Sequence, residues 1–307
     1  RALALLDSAA AAAAESSTPD AEATAAAAVG ELEAAAEGEG DRAGAPFSVE
    51  ALDVRFTYPS RAAEGCGPCL DGATLEAAAG EATALVGRSG CGKSTLLSLV
   101  LRLYEPDAGS VRLCGVDVGR LPLGYLRDRV SIVPQEPLLF RVSFADNIGL
   151  GATESARREW SPERFALEIM SAARRAAAHG FITAAGGYAS IVGERGGSLS
   201  GGQRQRIAIA RTLLRAPRLL LLDEATAALD NESESLVQDA LGALLMRTTT
   251  LVVAHRLSTI RNASTIFVME SGRVLESGTH EDLVAKDGLY ARLARSGGAS
   301  DPLPDAP

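Results

Sequence analysis

The chain has 307 residues, 47% of them apolar and 22% charged, a globular balance that excludes disorder throughout and suits about two domains. Thirty Lys+Arg stand against 39 Asp+Glu for a net charge of −9, and residues 1–46 hold much of that excess, with two arginines against nine acids. The remainder is nearly neutral and lacks the basic surplus that a phosphate backbone attracts, so no nucleic-acid partner is expected.

In chain order, the first residue is Arg1 rather than Met, so a missing upstream segment is expected. Residues 8–46 are runs of Ala, Glu and Gly, poor in large apolar side chains, with Pro19 and four glycines set to interrupt a helix. This composition predicts a low-complexity linker. From Phe47 to about residue 297 short apolar runs alternate with Gly and Pro, the texture of a folded domain, and 298–307 reads as a disordered tail. No apolar run approaches the roughly 18–20 residues that cross a bilayer, and no signal-peptide pattern opens the chain.

Four β-rich runs, Ala82–Val86, Val130–Val133, Leu219–Leu222 and Leu251–Ala254, are each followed by a helical pattern, which predicts an α/β fold with a mainly parallel sheet. Each run ends in a polar or glycine cluster: Gly87–Thr95, Gln135, Asp223-Glu224 and His255. Ligands of such sheets bind beyond the carboxyl ends of the strands, so these clusters should converge. About 136–199 breaks the rhythm, and Pro162–Phe181 reads as a helix with Phe165, Ile169, Ala172 and Ala173 on one face, predicting a helical insert. Ser271-Gly272 predicts a hairpin and Thr279-x-x-Asp282 the start of a terminal helix.

Gly87-Arg88-Ser89-Gly90-Cys91-Gly92-Lys93-Ser94-Thr95 fits the phosphate-loop pattern between a strand and a helix, as its mechanism requires. Backbone N–H groups curl around phosphates, the helix terminus adds a favourable dipole, the lysine supplies a point charge and Ser94 can ligate Mg²⁺. Lysine occurs at only two places, Lys93 and Lys286, so one survives where a compact ammonium is wanted. Asp223 would hold Mg²⁺ and Glu224 polarise an attacking water; alone, the pair could equally cap the next helix. Ser200-Gly201-Gly202-Gln203 opens a second helix with free N–H groups, either a second phosphate surface or an ordinary serine cap. One nucleotide rarely needs two such cradles in one chain, which favours a dimer interface. His255 ends a buried strand and can reach a γ-phosphate, whereas His179 and His280 read as solvent-facing.

These motifs, present in order from Phe47 to Leu293, resemble the nucleotide-binding domain of ATP-binding cassette (ABC) transporters, in the multidrug and peptide exporter branch of P-glycoprotein or antigen-peptide-transporter type. The resemblance implies a P-loop NTPase core, an N-terminal antiparallel β subdomain and an inserted α-helical subdomain. It implies ATP and Mg²⁺ as ligands, with Tyr58 of Phe56-Thr57-Tyr58-Pro59-Ser60-Arg61 stacking on adenine and Gly87–Thr95 as Walker A loop. Gln135 becomes the Q-loop glutamine, a ligand of Mg²⁺ beside Ser94 and Asp223. Gly193-Glu194-Arg195-Gly196 becomes the loop facing a membrane domain, Ser200–Gln203 the signature acting in trans and Asp223-Glu224 the Walker B pair. Asp230 of Ala228-Leu229-Asp230 belongs to the D-loop, and His255 is the switch histidine. The implied partners are an upstream transmembrane domain, of whose exit segment residues 1–7 are the end, and a second cassette, with this domain on the ATP-containing side of a membrane. A soluble cassette ATPase or a catalytically silent partner remains the alternative. Two departures stand out: Ala227 replaces a frequent serine, and the stretch through Cys66-Gly67-Pro68-Cys69 is longer than usual. The latter copies a thioredoxin-type dithiol without the strand-to-helix setting that activates one. Cys91 is either a reactive thiol or an inert filler. The four cysteines form no framework of regular spacings, which points to reducing surroundings.

Overall fold

The computed structural model describes residues 19–39, 45–193, 196, 199–225, 235–237, 239–242, 248–253 and 260–295. Among the described residues, ten strands form two sheets. Strands β1 (Val49–Phe56), β2 (Leu70–Ala77), β4 (Ala108–Leu113) and β5 (Val116–Asp117) make an antiparallel sheet in the order β2-β1-β4-β5. Strands β3 (Ala82–Val86), β6 (Val130–Val133), β7 (Leu219–Asp223), β8 (Thr249–Val253), β9 (Thr265–Glu270) and β10 (Arg273–Gly278) make the second, ordered β10-β9-β3-β8-β7-β6. All its pairings are parallel except the β9–β10 hairpin at the edge, as the Ser271-Gly272 turn predicts. Strand β7 is leucine from Leu219 to Leu222, and every residue of β8, Thr249 and Thr250 included, is buried, because both faces of these strands are packed into the two cores.

One helix overturns the expectation of a linker. Residues Pro19–Glu39 form α1, and Ala28, Leu32 and Ala36 on one stripe are fully buried against the core around Phe47, Val118 and Leu126. Pro19 does not break this helix because it stands at its first position, where no N–H is needed. Gly30 faces open space and costs only its propensity. Glu33 fixes the docking: it accepts from Tyr125 Oη and from Arg218, and Arg129 Nε lies 3.3 Å away. Arg218 stacks over Phe47, 4.2 Å from the ring centre. Burial alone would raise the Glu33 pKa, but these hydrogen bonds and charges win and hold it below the usual 4.5. The carboxylate therefore contributes stability that is present above the unfolded-state value and is lost as pH falls through the lower folded one. Glu33→Ala leaves the buried guanidinium of Arg218 without its carboxylate and is expected to cost about 1–3 kcal/mol, read by urea unfolding at neutral pH. The deficit should shrink towards acid, and equal midpoints for both chains at neutral pH would contradict it.

The insert is helical, with segments Phe144–Gly149, Glu154–Glu159, α3 (Pro162–Arg175) and His179–Ala184. Ser161 caps α3 by accepting from Arg164 N, with proline at its first turn, and Ile169, Ala172 and Ala173 are buried as the periodicity requires. The expected continuation to Phe181 fails. Ala177 takes a left-handed φ of 51°, and Ala178 N donates to Ala173 O (2.7 Å) while Ala177 N donates to Arg174 O (3.0 Å). This is a Schellman stop built on alanine where glycine is usual. The two histidines expected to face solvent are instead paired with tyrosine hydroxyls, His179 with Tyr188 at 2.9 Å and His280 with Tyr290 at 2.7 Å. Thr279 and Asp282 form the expected capping box at the start of His280–Ala285.

Candidate functional site

Strand β3 runs into Gly87–Gly92, and this loop opens helix α2 (Lys93–Val100). Gly92 has φ 109°, and a Cβ there would lie 2.7 Å from both Cys69 O and Leu70 Cδ2, so only glycine fits. Lys93 is 5% exposed, and its ammonium donates to Gly87 O (2.7 Å) and Arg88 O (2.9 Å), with Cys91 Sγ at 3.8 Å. The lysine thereby closes the loop on itself and presents its charge inside the ring of backbone.

The carboxyl edge of the parallel sheet brings two of the four predicted clusters together, Gly87–Thr95 and Asp223-Glu224. Asp223 is level with Val253 of β8, which in turn pairs with Leu85 of β3. Across that edge Ser94 Oγ donates to Asp223 Oδ1 at 3.0 Å. Glu224 follows in a left-handed conformation, φ 50°, and its N–H donates to Val253 O at 3.0 Å. A non-glycine residue there is strained, a frequent feature of functional positions. A cavity of about 270 Å³ is lined by Tyr58, Arg61, Cys69, Ser89, Gly90, Gly92, Lys93, Ser94, Thr95 and Glu224. Tyr58 Oη donates to Thr95 Oγ1 (3.3 Å), and its ring meets Phe56 and Tyr104 edge-on at 4.9 and 5.1 Å. Gln135 is exposed just beyond β6 and does not line this cavity.

Helix α4 (Gly201–Arg215) opens with a capping box. Ser200 Oγ accepts from Gln203 N (3.2 Å), and Gln203 Oε1 accepts from Ser200 N (3.0 Å). None of Ser200, Gly201, Gly202 and Gln203 lines the cavity above. The helix is bonded into the insert along its length. Gln205 donates to Pro134 O, Arg206 to Ala177 O, and Arg211 to Leu138 O, Asn147 O and Asn147 Oδ1, all at 2.7–3.1 Å. Asn147 is fully buried and itself donates to Phe140 O and Ser143 O. Burial of Arg211 lowers its pKa to about 10, which leaves it charged at neutral pH.

Asp230, Ala227 and His255 lie outside the described residues, as do Glu194, Arg195 and residues 1–7. Sequence reasoning overlooked Arg61, Cys69 as a cavity wall, and the Asn147–Arg211 staple. A buried asparagine in an apolar helical turn was the available signal for the last.

A parallel sheet that delivers a lysine-bearing glycine loop, a serine–aspartate pair and a second carboxylate to one edge defines a P-loop nucleotide-binding domain. The sequence profile of the ABC transporter family matches residues 70–227, and the chain belongs to that family. It is 48% identical over 252 residues to the ABC multidrug transporter atrC of Emericella nidulans, covering 80% of this chain and 19% of that protein. It is 47% identical over 249 residues to ABC transporter B family member 19 of Arabidopsis thaliana (81% and 19%). It is also 48% identical over 259 residues to multidrug resistance protein pgp-1 of Caenorhabditis elegans (84% and 19%). The chain thus spans about one fifth of the length of these relatives. Among solved structures, a bacterial Atm1-family ABC exporter with ATP bound superposes with TM-score 0.72 at 40% identity, covering 84% of this chain and 43% of that one. The matched stretch is the ATP-binding, ATP-hydrolysing domain of this exporter class. No helix among the described residues is long and apolar enough to cross a membrane.

Proposed function

We propose that this domain powers export by an ABC transporter: two cassettes close head to tail on ATP, and hydrolysis reopens them. Differential affinity of the nucleotide for closed over open pairs supplies the free energy that reorients attached membrane domains. The observation that carries this reading is the division of the anion-binding elements. Lys93, Ser94, Asp223 and Glu224 meet around one cavity edge, while the Ser200–Gln203 helix tip points its exposed serine elsewhere. That tip suits the nucleotide of a second cassette.

In this assignment Lys93 keeps its two carbonyl bonds and turns its third proton from the weak Cys91 contact towards a phosphate oxygen. The backbone of Arg88, Ser89, Gly90, Cys91 and Gly92 lines the phosphates, with Thr95 beyond. Tyr58 supplies the ring for adenine, and Thr95 already holds its hydroxyl. The hydroxyl–carboxylate pair of Ser94 and Asp223 is a hard-oxygen set that suits Mg²⁺, with Gln135 as a further oxygen donor from β6. When bound, that ion would neutralise charge on the transferring phosphoryl group. Glu224 accepts a proton from the attacking water, assisted by His255 at the γ-phosphate, and Asp230 acts across the interface. An upstream transmembrane domain and a second cassette complete the machine on the ATP-containing side of the membrane.

Hydrolysis of MgATP by the chain alone is expected to rise as about the second power of its concentration while pairs are scarce. Ser200→Arg, which fills the helix tip, should abolish that rise without weakening ATP binding to the single chain. Strictly linear hydrolysis in both chains would remove the paired arrangement.

A further inference from the structure

We propose that Cys66 and Cys69 form a thiol–disulfide modification site at the rim of the nucleotide cavity, taking a low-molecular-weight disulfide as its reactant. The inference rests on the nucleotide reading only for its consequence, not for its chemistry. The two cysteines share a Cys-Gly-Pro-Cys turn between the short helix Pro59–Ala63 and β2. Both are free thiols, Cys66 exposed and Cys69 buried with 7% of its surface accessible. This asymmetry suits an attacking thiol that meets solvent and a resolving thiol that waits behind it. The turn is pinned at both ends, since Cys66 N donates to Arg61 O (2.9 Å) and Cys69 N to Phe56 O (2.8 Å).

Arg61 supplies a cationic hydrogen-bond donor to the pair. Its Nη1 donates to Cys69 Sγ at 3.2 Å, and its pKa is raised chiefly by that bond and more weakly by Cys66. The guanidinium therefore sets a cationic donor against the resolving sulfur, where negative charge must pass during exchange. The chemistry balances. The Cys66 sulfur attacks one sulfur of the external disulfide, forming a mixed disulfide and expelling a thiolate. Cys69 then attacks the Cys66 sulfur and expels the second thiolate, and the two cysteine protons go to the departing thiols. The chain is oxidised by two electrons and the small disulfide is reduced by two.

The consequence follows from what Cys69 and Arg61 touch. Both line the cavity with Lys93 and Ser94. The Cys69 carbonyl is wedged so closely between Gly92 and Gly272 that a Cβ on either glycine would come within 2.8 Å of it. Drawing Cys69 towards Cys66 releases Arg61 and shifts the wall of the phosphate loop.

The test equilibrates the 307-residue chain with mixtures of reduced and oxidised glutathione, caps remaining thiols with N-ethylmaleimide and maps the peptides by mass. The expected product is an intrachain Cys66–Cys69 disulfide, reversed by dithiothreitol, with fluorescent ATP bound about tenfold more weakly, the scale of one lost charge-assisted contact. Cys66→Ser should keep the reduced-state affinity and lose its response to oxidised glutathione. The proposal is overturned if the two cysteines are recovered only as separate capped or glutathione-bearing residues, or if the disulfide forms and ATP affinity is unchanged. The peptide map needs no nucleotide. A reduced chain that fails to bind ATP would therefore overturn the nucleotide reading, while the map still decides the thiol chemistry.

Discussion

Glu224→Gln is expected to bind MgATP with affinity close to that of the unaltered chain and to hydrolyse it about 10²–10⁴-fold more slowly, the range for loss of a positioned general base. The amide keeps the shape of the side chain and leaves the left-handed backbone and its bond to Val253 O undisturbed. What disappears is the acceptor for a water proton. In the proposed cycle, where ATP binding closes the pair and turnover opens it, the variant should accumulate as an ATP-dependent dimer in sedimentation. Hydrolysis at the normal rate would remove Glu224 from this role.

Lys93→Ala should weaken ATP binding by roughly 10–10²-fold, the scale of one charge-assisted hydrogen bond to phosphate. The loss has a second source. The ammonium also ties Gly87 O to Arg88 O, so without it the loop loses the bonds that hold its curl. Lys93→Arg is expected to rescue little, because a planar fork cannot replace a compact ammonium in a site only 5% exposed. Equilibrium binding of a fluorescent ATP analogue measures both variants, and affinity within threefold of the unaltered chain would contradict the assignment.

The centre of the site was legible because its chemistry demands particular residues at fixed spacing. Gly87–Thr95 between strand and helix, and Leu219–Leu222 ending in two acids, are patterns that few other arrangements produce. The strained φ of Glu224 carries no such mark, since the turn is imposed by the neighbouring β8 carbonyl. The stop at Ala177 was hidden for a related reason: its hydrogen bonds are those of a glycine-capped helix, but the residue is alanine. Helix α1 was hardest to foresee. In a stripe of Ala28, Leu32 and Ala36 among further alanines the buried face hardly differs in composition from the wet one. Its anchor is a carboxylate meeting an arginine 185 positions later in the chain. Such contacts are set by tertiary packing, which no local window contains.

The Asn147–Arg211 staple ties helix α4 and the insert into a single lever. With carbonyls at positions 134, 138, 147 and 177 all bonded to α4, a displacement of the exposed surface around Leu138 and Val142 is expected to carry the Ser200 end of α4 with it. Force and displacement at the one end become force and displacement at the other, and the compliance of the assembly must be sought at the joints flanking this lever.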